Sequence, residues 1–199
     1  MTEAGAPAAA LVAATSAELL GERPLPKVLR ARPLLFVFGP PGSGKSVVAR
    51  RICGADALEL DPAALSRAGA AAVRDRRWPA AVDAAAALVI DSPTGLAGRP
   101  GLVRALTELL ARRALAGQRT VIIEGAVAHS VLPLMEALPP ALRCTLVLRF
   151  PEGRGRRRFA LQVCAERGLP PALARGCAEL QPWSYSAVIA LLERAHPSP

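Results

Sequence analysis

The chain has 199 residues, is 52% hydrophobic but only 4% aromatic, and carries a net charge of +9 at neutral pH, nearly all of its base as Arg. That length suits one α/β domain with a small helical annex, and a core poor in aromatics must be built from Ala, Leu and Val. No apolar run reaches the roughly 18 residues of a membrane span, the start carries Glu3 and no basic segment and so is not read as a secretory signal, and Cys53, Cys144, Cys164 and Cys177 lack metal-site spacing. Unpaired cysteines in apolar settings fit a reducing cytoplasm. The basic balance permits contact with nucleic acid or another polyanion without requiring it.

In chain order, Met1 to about Thr15 is Ala-rich with Gly and Pro and reads as a loose tail, so residues 1–17 are assigned to a flexible N-terminal segment. Ser16–Gly21 reads as a short turn of helix capped by Ser16. Arg23–Pro33 carries three prolines and is expected to be an extended approach to a sheet. Five apolar runs then read as strands: Leu34–Phe38, Ala57–Leu60, Leu88–Asp91, Thr120–Glu124 and Thr145–Phe150. Their continuous apolar character suits a parallel sheet covered on both faces. Helical patterns alternate with them. Asp61-Pro62 reads as a helix cap followed by a first-turn proline, and Leu102, Val103, Leu106, Leu109 and Leu110 fall on one helical stripe ended near Gly117. After Phe150 the strand signal stops, and Arg156–Arg167, Pro171–Leu180 and Ser184–Ala195 read as three helices. The division is a core over residues 18–150 and a helical lid over residues 151–199.

The chemistry centres on Gly39-Pro40-Pro41-Gly42-Ser43-Gly44-Lys45-Ser46, directly after the first apolar run and before the helical Val47–Ile52. This is the Gly-x-x-x-x-Gly-Lys-Ser phosphate loop. Glycines turn backbone N–H groups inward around phosphate oxygens, and the following helix N-terminus adds positive potential. The motif predicts binding of ATP or ADP by residues 39–46, with Lys45 on the β- and γ-phosphates. Ser46 is the expected Mg²⁺ ligand, together with Asp91 at the end of a neighbouring apolar strand. A turn without a ligand is the bland alternative for the loop, and a capping strand-end Asp for Asp91. The residue after Asp91 is Ser92, which has no basicity at neutral pH, so hydrolysis is expected to be slow or absent. Glu124, ending the next strand, is a candidate for ordering water or is a solvated strand-end charge. Arg143 is a candidate arginine finger toward a neighbour's nucleotide or a plain surface Arg.

Together, the P-loop, five strands, the Asp ending the third strand and the trailing helices resemble the AAA+ ATPase family, and within it the DnaA/Hda replication initiator and regulator group; the sheet is expected to be parallel, in the order 5-1-4-3-2. Glu18-Leu19-Leu20-Gly21 is similar to the segment that precedes the P-loop in that family. Leu88–Ser92 takes the place of its Walker B strand, Gly117–Glu124 that of its sensor-1 strand, and Leu132–Glu152 that of its finger and lid-entry stretch. Glu166–Pro170 and Trp183–Leu192 match lid helices. The resemblance implies an ATP-binding switch or weak ATPase in DNA transactions, self-association or association with a DnaA-like AAA+ partner, and sequence-independent DNA contact through lid arginines such as the Arg154–Arg158 cluster. The chain departs from the family at Ser92, where a second acid is usual, and near Tyr185, where the lid helix usually carries an Arg. Two other readings stay open at this point. One is a P-loop small-molecule or nucleotide kinase with Asp61 as base and Arg154–Arg158 as a closing lid. The other is a nucleotide-gated adaptor without catalysis.

Overall fold

Six parallel strands form one sheet, and in the computed structural model they run β1 (Ala10–Thr15), β6 (Arg143–Arg149), β2 (Leu34–Phe38), β5 (Arg119–Glu124), β4 (Ala87–Asp91) and β3 (Leu58–Leu60) from edge to edge. The structure describes residues 10–20, 24–93, 96, 98–125 and 131–195. β2 is buried along its whole length, and β5 from Thr120 onward, because helices cover both faces of the sheet. Alternate side chains of β2 show the division. Leu34, Phe36 and Phe38 join the core under α4 (Pro62–Asp75) and α6 (Pro100–Leu115), while Leu35 and Val37 join the core under α1 (Ser16–Leu20), α2 (Lys27–Ala31) and α3 (Lys45–Cys53). Two short helices, α5 (Ala80–Ala84) and α7 (Leu132–Ala137), complete the first layer through Val82 and Leu134.

The sheet has six strands where five were expected. The sixth is Ala10–Thr15, read from the sequence as part of the flexible tail. It pairs in parallel with β6, Ala10 opposite Cys144 through Thr15 opposite Arg149. Without β1 the ladder groups of β6 would be an open edge. Ala10, Val12 and Ala14 turn inward onto the same core as Leu146 and Leu148, and their small size fits a sheet edge already backed by α1. The ordered core therefore begins ahead of residue 18. Residues 1–9 of the assigned tail lie outside the described residues. The approach to β2 also departs from expectation: Lys27–Ala31 is helical, not extended. Its proline, Pro26, precedes the helix as N-cap, where a missing N–H costs nothing.

Past β6 the described residues contain three helices, α8 (Arg154–Glu166), α9 (Leu173–Ala178) and α10 (Tyr185–Ala195), and no strand. They enclose their own apolar cluster, in which Ala160, Cys164, Cys177, Val188 and Leu192 are buried. Phe150, Phe159, Trp183 and Tyr185 form an edge-to-face group within it, with Phe159 and Tyr185 centroids 4.5 Å apart. Trp183 Nε1 donates to the Cys177 carbonyl at 3.1 Å, and the Arg156 guanidinium lies 5.4 Å from the Trp183 ring centroid. None of the described helices is long and apolar enough to cross a membrane. Residues 196–199 of the expected lid lie outside the described set.

Candidate functional site

The carboxyl ends of β2, β4 and β5 meet. Phe38 is in register with Glu124, and Asp91 with Ile123, so the loop after Phe38 emerges beside both acids. That loop passes directly into α3. Gly42 and Gly44 have φ of 73° and 83°, the left-handed region that side chains disfavour. Space excludes a side chain there too. A Cβ on Gly42 would stand 2.8 Å from Ser184 Cβ, and one on Gly44 2.8 Å from Ser16 Oγ. The loop is thus gripped by two segments far apart in sequence, the β1–α1 junction and the start of α10. The second contact includes a hydrogen bond, Tyr185 N–H to the Gly42 carbonyl at 3.3 Å.

Lys45 opens α3 and bends back over the loop. Its ammonium donates to the Gly39 and Pro40 carbonyls at 2.8 and 2.9 Å. Burial lowers its pKa, while the negative charges of Asp91 and Glu124 act in the opposite direction. Both strand-end acids therefore share the electrostatic environment of the loop lysine. Glu124 is buried, and its Oε1 accepts from the Gly125 N–H at 2.7 Å, so it is not the solvated strand-end charge of the bland reading. Asp91 is half-buried and accepts from the Ser92 hydroxyl at 2.8 Å. Ser92 itself has φ of 48°, an uncommon conformation for a non-glycine residue, and its N–H donates to the Ile123 carbonyl at 2.9 Å. Its hydroxyl proton is committed to Asp91. Ser46 lies exposed on the first turn of α3 and Ser43 is fully buried.

Other predicted residues lie elsewhere. Arg143 opens β6, in register with Leu34, and so sits at the amino end of the sheet, opposite the loop of its own chain. It is half-buried, with Nε shielded from solvent and lacking a hydrogen-bond partner. Asp61 accepts the Ala64 N–H at 2.6 Å with Pro62 at the next position, which is the N-cap of α4. Arg154, Arg157 and Arg158 are exposed on the first turns of α8, whereas Arg156 Nε donates to the Pro151 carbonyl. Sequence reasoning read Ser16 only as a helix cap and Tyr185 only as a lid position without the usual Arg, and it missed Ser184 altogether. Their contacts with the loop depend on tertiary placement and leave no local motif. Among the described residues no group of three or more His, Cys, Asp and Glu could hold a metal ion.

The same architecture recurs in solved structures. Domain III of the Thermotoga maritima replication initiation protein DnaA superposes with a TM-score of 0.64 at 14% identity, over 82% of this chain and 75% of that one. The chain thus has the fold of that DnaA domain. A structure described as a DNA replication initiation factor gives a TM-score of 0.62 at 10% identity, over 81% of this chain and 54% of its own. AMPPCP-bound DnaA from Aquifex aeolicus gives 0.57 at 11% identity, over 70% and 47%. The chain thus spans three quarters of the first of these and about half of the other two. No model of a known protein family matches the chain, and no curated protein matches it by sequence. In the DnaA-like frame, the loop at Gly39–Ser46, Asp91 and Glu124 sit together at the carboxyl edge of the sheet, where ligands of open parallel sheets bind.

Proposed function

We propose that the chain is an ATP-binding AAA+-like switch with slow or absent hydrolysis, acting in DNA transactions through a partner. The observation that carries this reading is Lys45, whose ammonium is held on the loop's own carbonyls, with the fields of Asp91 and Glu124 acting on it, at the mouth of a parallel sheet. An ammonium parked on neutral carbonyls exchanges them readily for charged phosphate oxygens. The residues present fit the ligand. Gly42 and Gly44 carry no side chain to obstruct the cradle, and the buried Ser43 hydroxyl has no partner within the chain. Ser46 and Asp91 supply the hard oxygen ligands that Mg²⁺ takes, and a bound nucleotide with its cation would supply the terminal phosphate whose presence or loss sets the switch. Within this chain, Lys45 neutralises phosphate charge, the loop amides orient it, and Glu124 remains as the buried acid nearest the task of ordering water. Ser92 cannot take a proton from water, which supports weak turnover.

The three-helix unit acts as the lid, since it touches the loop directly at Gly42. A nucleotide biases the angle between lid and sheet only through contacts that differ between states. Two of the structural neighbours are described as bound to AMPPCP, and one of those also to single-stranded DNA. By analogy, self-association or a DnaA-like partner and sequence-independent DNA contact through Arg154, Arg157 and Arg158 belong to the same reading. Arg143 serves only a nucleotide on another copy, because it lies at the opposite end of the sheet from its own loop. The kinase alternative loses its base, since the Asp61 carboxylate is engaged as a helix cap.

The test is equilibrium titration with a fluorescent ATP analogue and Mg²⁺, with sedimentation in parallel. Wild-type protein is expected to bind the analogue and to change mass with it. Lys45→Ala is expected to bind at least about 100-fold more weakly, the loss of more than one charge-assisted contact, with unchanged thermal stability. Equal affinity in the variant would rule out the loop as a phosphate cradle.

A further inference from the structure

Arg76 and Ser92 are the two non-glycine residues with positive φ among the described residues, at 53° and 48°. Arg76 follows the last turn of α4, where a left-handed residue is an ordinary way to end a helix. Ser92 ends no helix. It follows β4, and its N–H donates to the Ile123 carbonyl at 2.9 Å, one step beyond the pairing of Asp91 with Ile123. Glycine adopts this backbone at no steric cost, and a residue with a side chain does not. A serine held in it therefore calls for a use of its hydroxyl.

That use is the bond to Asp91. Ser92 Oγ donates to Asp91 Oδ1 at 2.8 Å, an ionised carboxylate being an acceptor only. The terminal torsion of an aspartate is broad, so an untethered carboxylate samples many orientations. Here one oxygen is fixed on Ser92, and Oδ2 has no hydrogen-bond partner among the described residues. Asp91 stands beside the loop, where its charge acts on the Lys45 ammonium. Among the described residues no group of three or more His, Cys, Asp and Glu could hold a metal ion by itself. Mg²⁺ needs no such group, since it takes one or two carboxylates together with phosphate and water oxygens. With so few protein ligands, the orientation of a single carboxylate carries more of the binding.

We infer that Ser92 is a positioning residue: its hydroxyl, aimed by a left-handed backbone, holds the Asp91 carboxylate in the orientation that receives the cation of a bound nucleotide. This deepens, and rests on, the nucleotide reading above. It gives Ser92 a task separate from its inability to activate water. It also separates the Mg²⁺ dependence of binding, set through Ser92 and Asp91, from the hold of Lys45 on phosphate.

The experiment titrates wild type, Ser92→Ala and Ser92→Gly with a fluorescent ATP analogue, once in Mg²⁺ and once in EDTA, and records thermal unfolding of each without nucleotide. Ser92→Ala is repeated in an Asp91→Asn background. Both single variants are expected to bind about 10-fold more weakly in Mg²⁺, the usual loss when the partner of a metal-binding side chain is removed, and to match wild type in EDTA. Ser92→Gly is expected to melt roughly 2–4 °C above Ser92→Ala, because glycine relieves the left-handed strain. A merely structural serine would make affinity follow melting temperature, whereas here the two variants differ in stability and share the same loss. In Asp91→Asn, Ser92→Ala should cost nothing further, since the two residues act as one unit. The inference is overturned by Mg²⁺-dependent affinity unchanged in Ser92→Ala, by an equal loss in EDTA, by a full further loss in the Asp91→Asn background, or by Ser92→Gly melting no higher than Ser92→Ala. If wild type does not bind the analogue at all, the nucleotide reading falls first and this inference with it. If wild type binds equally well in Mg²⁺ and EDTA, only this inference falls.

Discussion

The amino and carboxyl ends of the sheet both shelter cationic side chains, and they treat them differently. At the amino end, Arg113 is buried and donates to Thr120 Oγ1 at 3.0 Å and to the carbonyls of Val82, Ala85 and Arg119 at 3.2, 2.8 and 3.3 Å. Arg119 donates to the carbonyls of Leu29, Arg32 and Arg30 at 2.6, 2.7 and 2.8 Å, which ties the end of α2 to the start of β5. Burial lowers the pKa of both guanidiniums, and neither can lose its proton at any ordinary pH. Their donors are directed at carbonyls of the chain itself. At the carboxyl end, Lys45 also rests on carbonyls, but Ser43 and Tyr185 leave hydroxyls stranded. A cation whose donors are used up internally is a structural rivet. A cation on a loop that also holds unpaired donors is, on the reading proposed above, where a ligand enters. Arg143 cuts across this division, since it sits at the amino end with its Nε unpartnered.

If the division is right, stability and ligand affinity separate between the two ends. Arg113→Ala should show the largest loss of stability, about 3–5 kcal/mol, because it strands several buried carbonyls in addition to leaving a cavity. Denaturant unfolding measures it, and ATP affinity of the folded fraction should stay at the wild-type value. A parallel loss of affinity would mean that the two ends are mechanically coupled. Asp61→Ala should cost about 1 kcal/mol, the usual worth of an N-cap, again without effect on nucleotide binding. A loss of ATP-dependent activity out of proportion to that cost would return Asp61 to a catalytic role.

The smallest effect concerns Cys53, whose Sγ is 3.8 Å from the Leu88 carbonyl. Burial raises its pKa from 9.0 to about 11, against the opposing charges of Arg119 and Arg113. The folded value lies above the unfolded one. The stability gained by keeping the thiol neutral is therefore complete below pH 9 and is lost as pH rises from 9 to about 11. Labelling of native protein by a thiol reagent should be slow at pH 8 and accelerate toward pH 11. Fast labelling of Cys53 at pH 8 would show that this side of α3 opens more freely than its packing implies.

How much of this was legible in the residues depends on how local each signal was. The loop at 39–46, its preceding strand and Asp91 were readable because motif, apolar run and strand-end acid are contiguous or nearly so. The Asp61 cap was readable for the same reason. Ala10–Thr15 was not, because an Ala-rich stretch has neither strand periodicity nor strong β propensity, and only the open ladder of β6 makes it a strand. Lys27–Ala31 was hidden behind flanking prolines that also favour extended chain. The grip of Ser16 and Tyr185 on the glycines is invisible in one dimension, since those residues come from opposite ends of the chain.

The pairing of β1 with β6 has a consequence for how the molecule is made. Ala10 leaves the ribosome early, yet its partner Cys144 emerges only after four of the other strands have been synthesised. Contacts of such sequence separation form slowly, and an unpaired strand is exposed while it waits. The Ser16 contact on Gly44 follows directly from β1 and so is fitted late, although it is encoded first. A nascent chain will hold the sequence of the glycine loop well before it holds the loop's shape, and that shape matures only when the earliest and latest parts of the polypeptide have found each other.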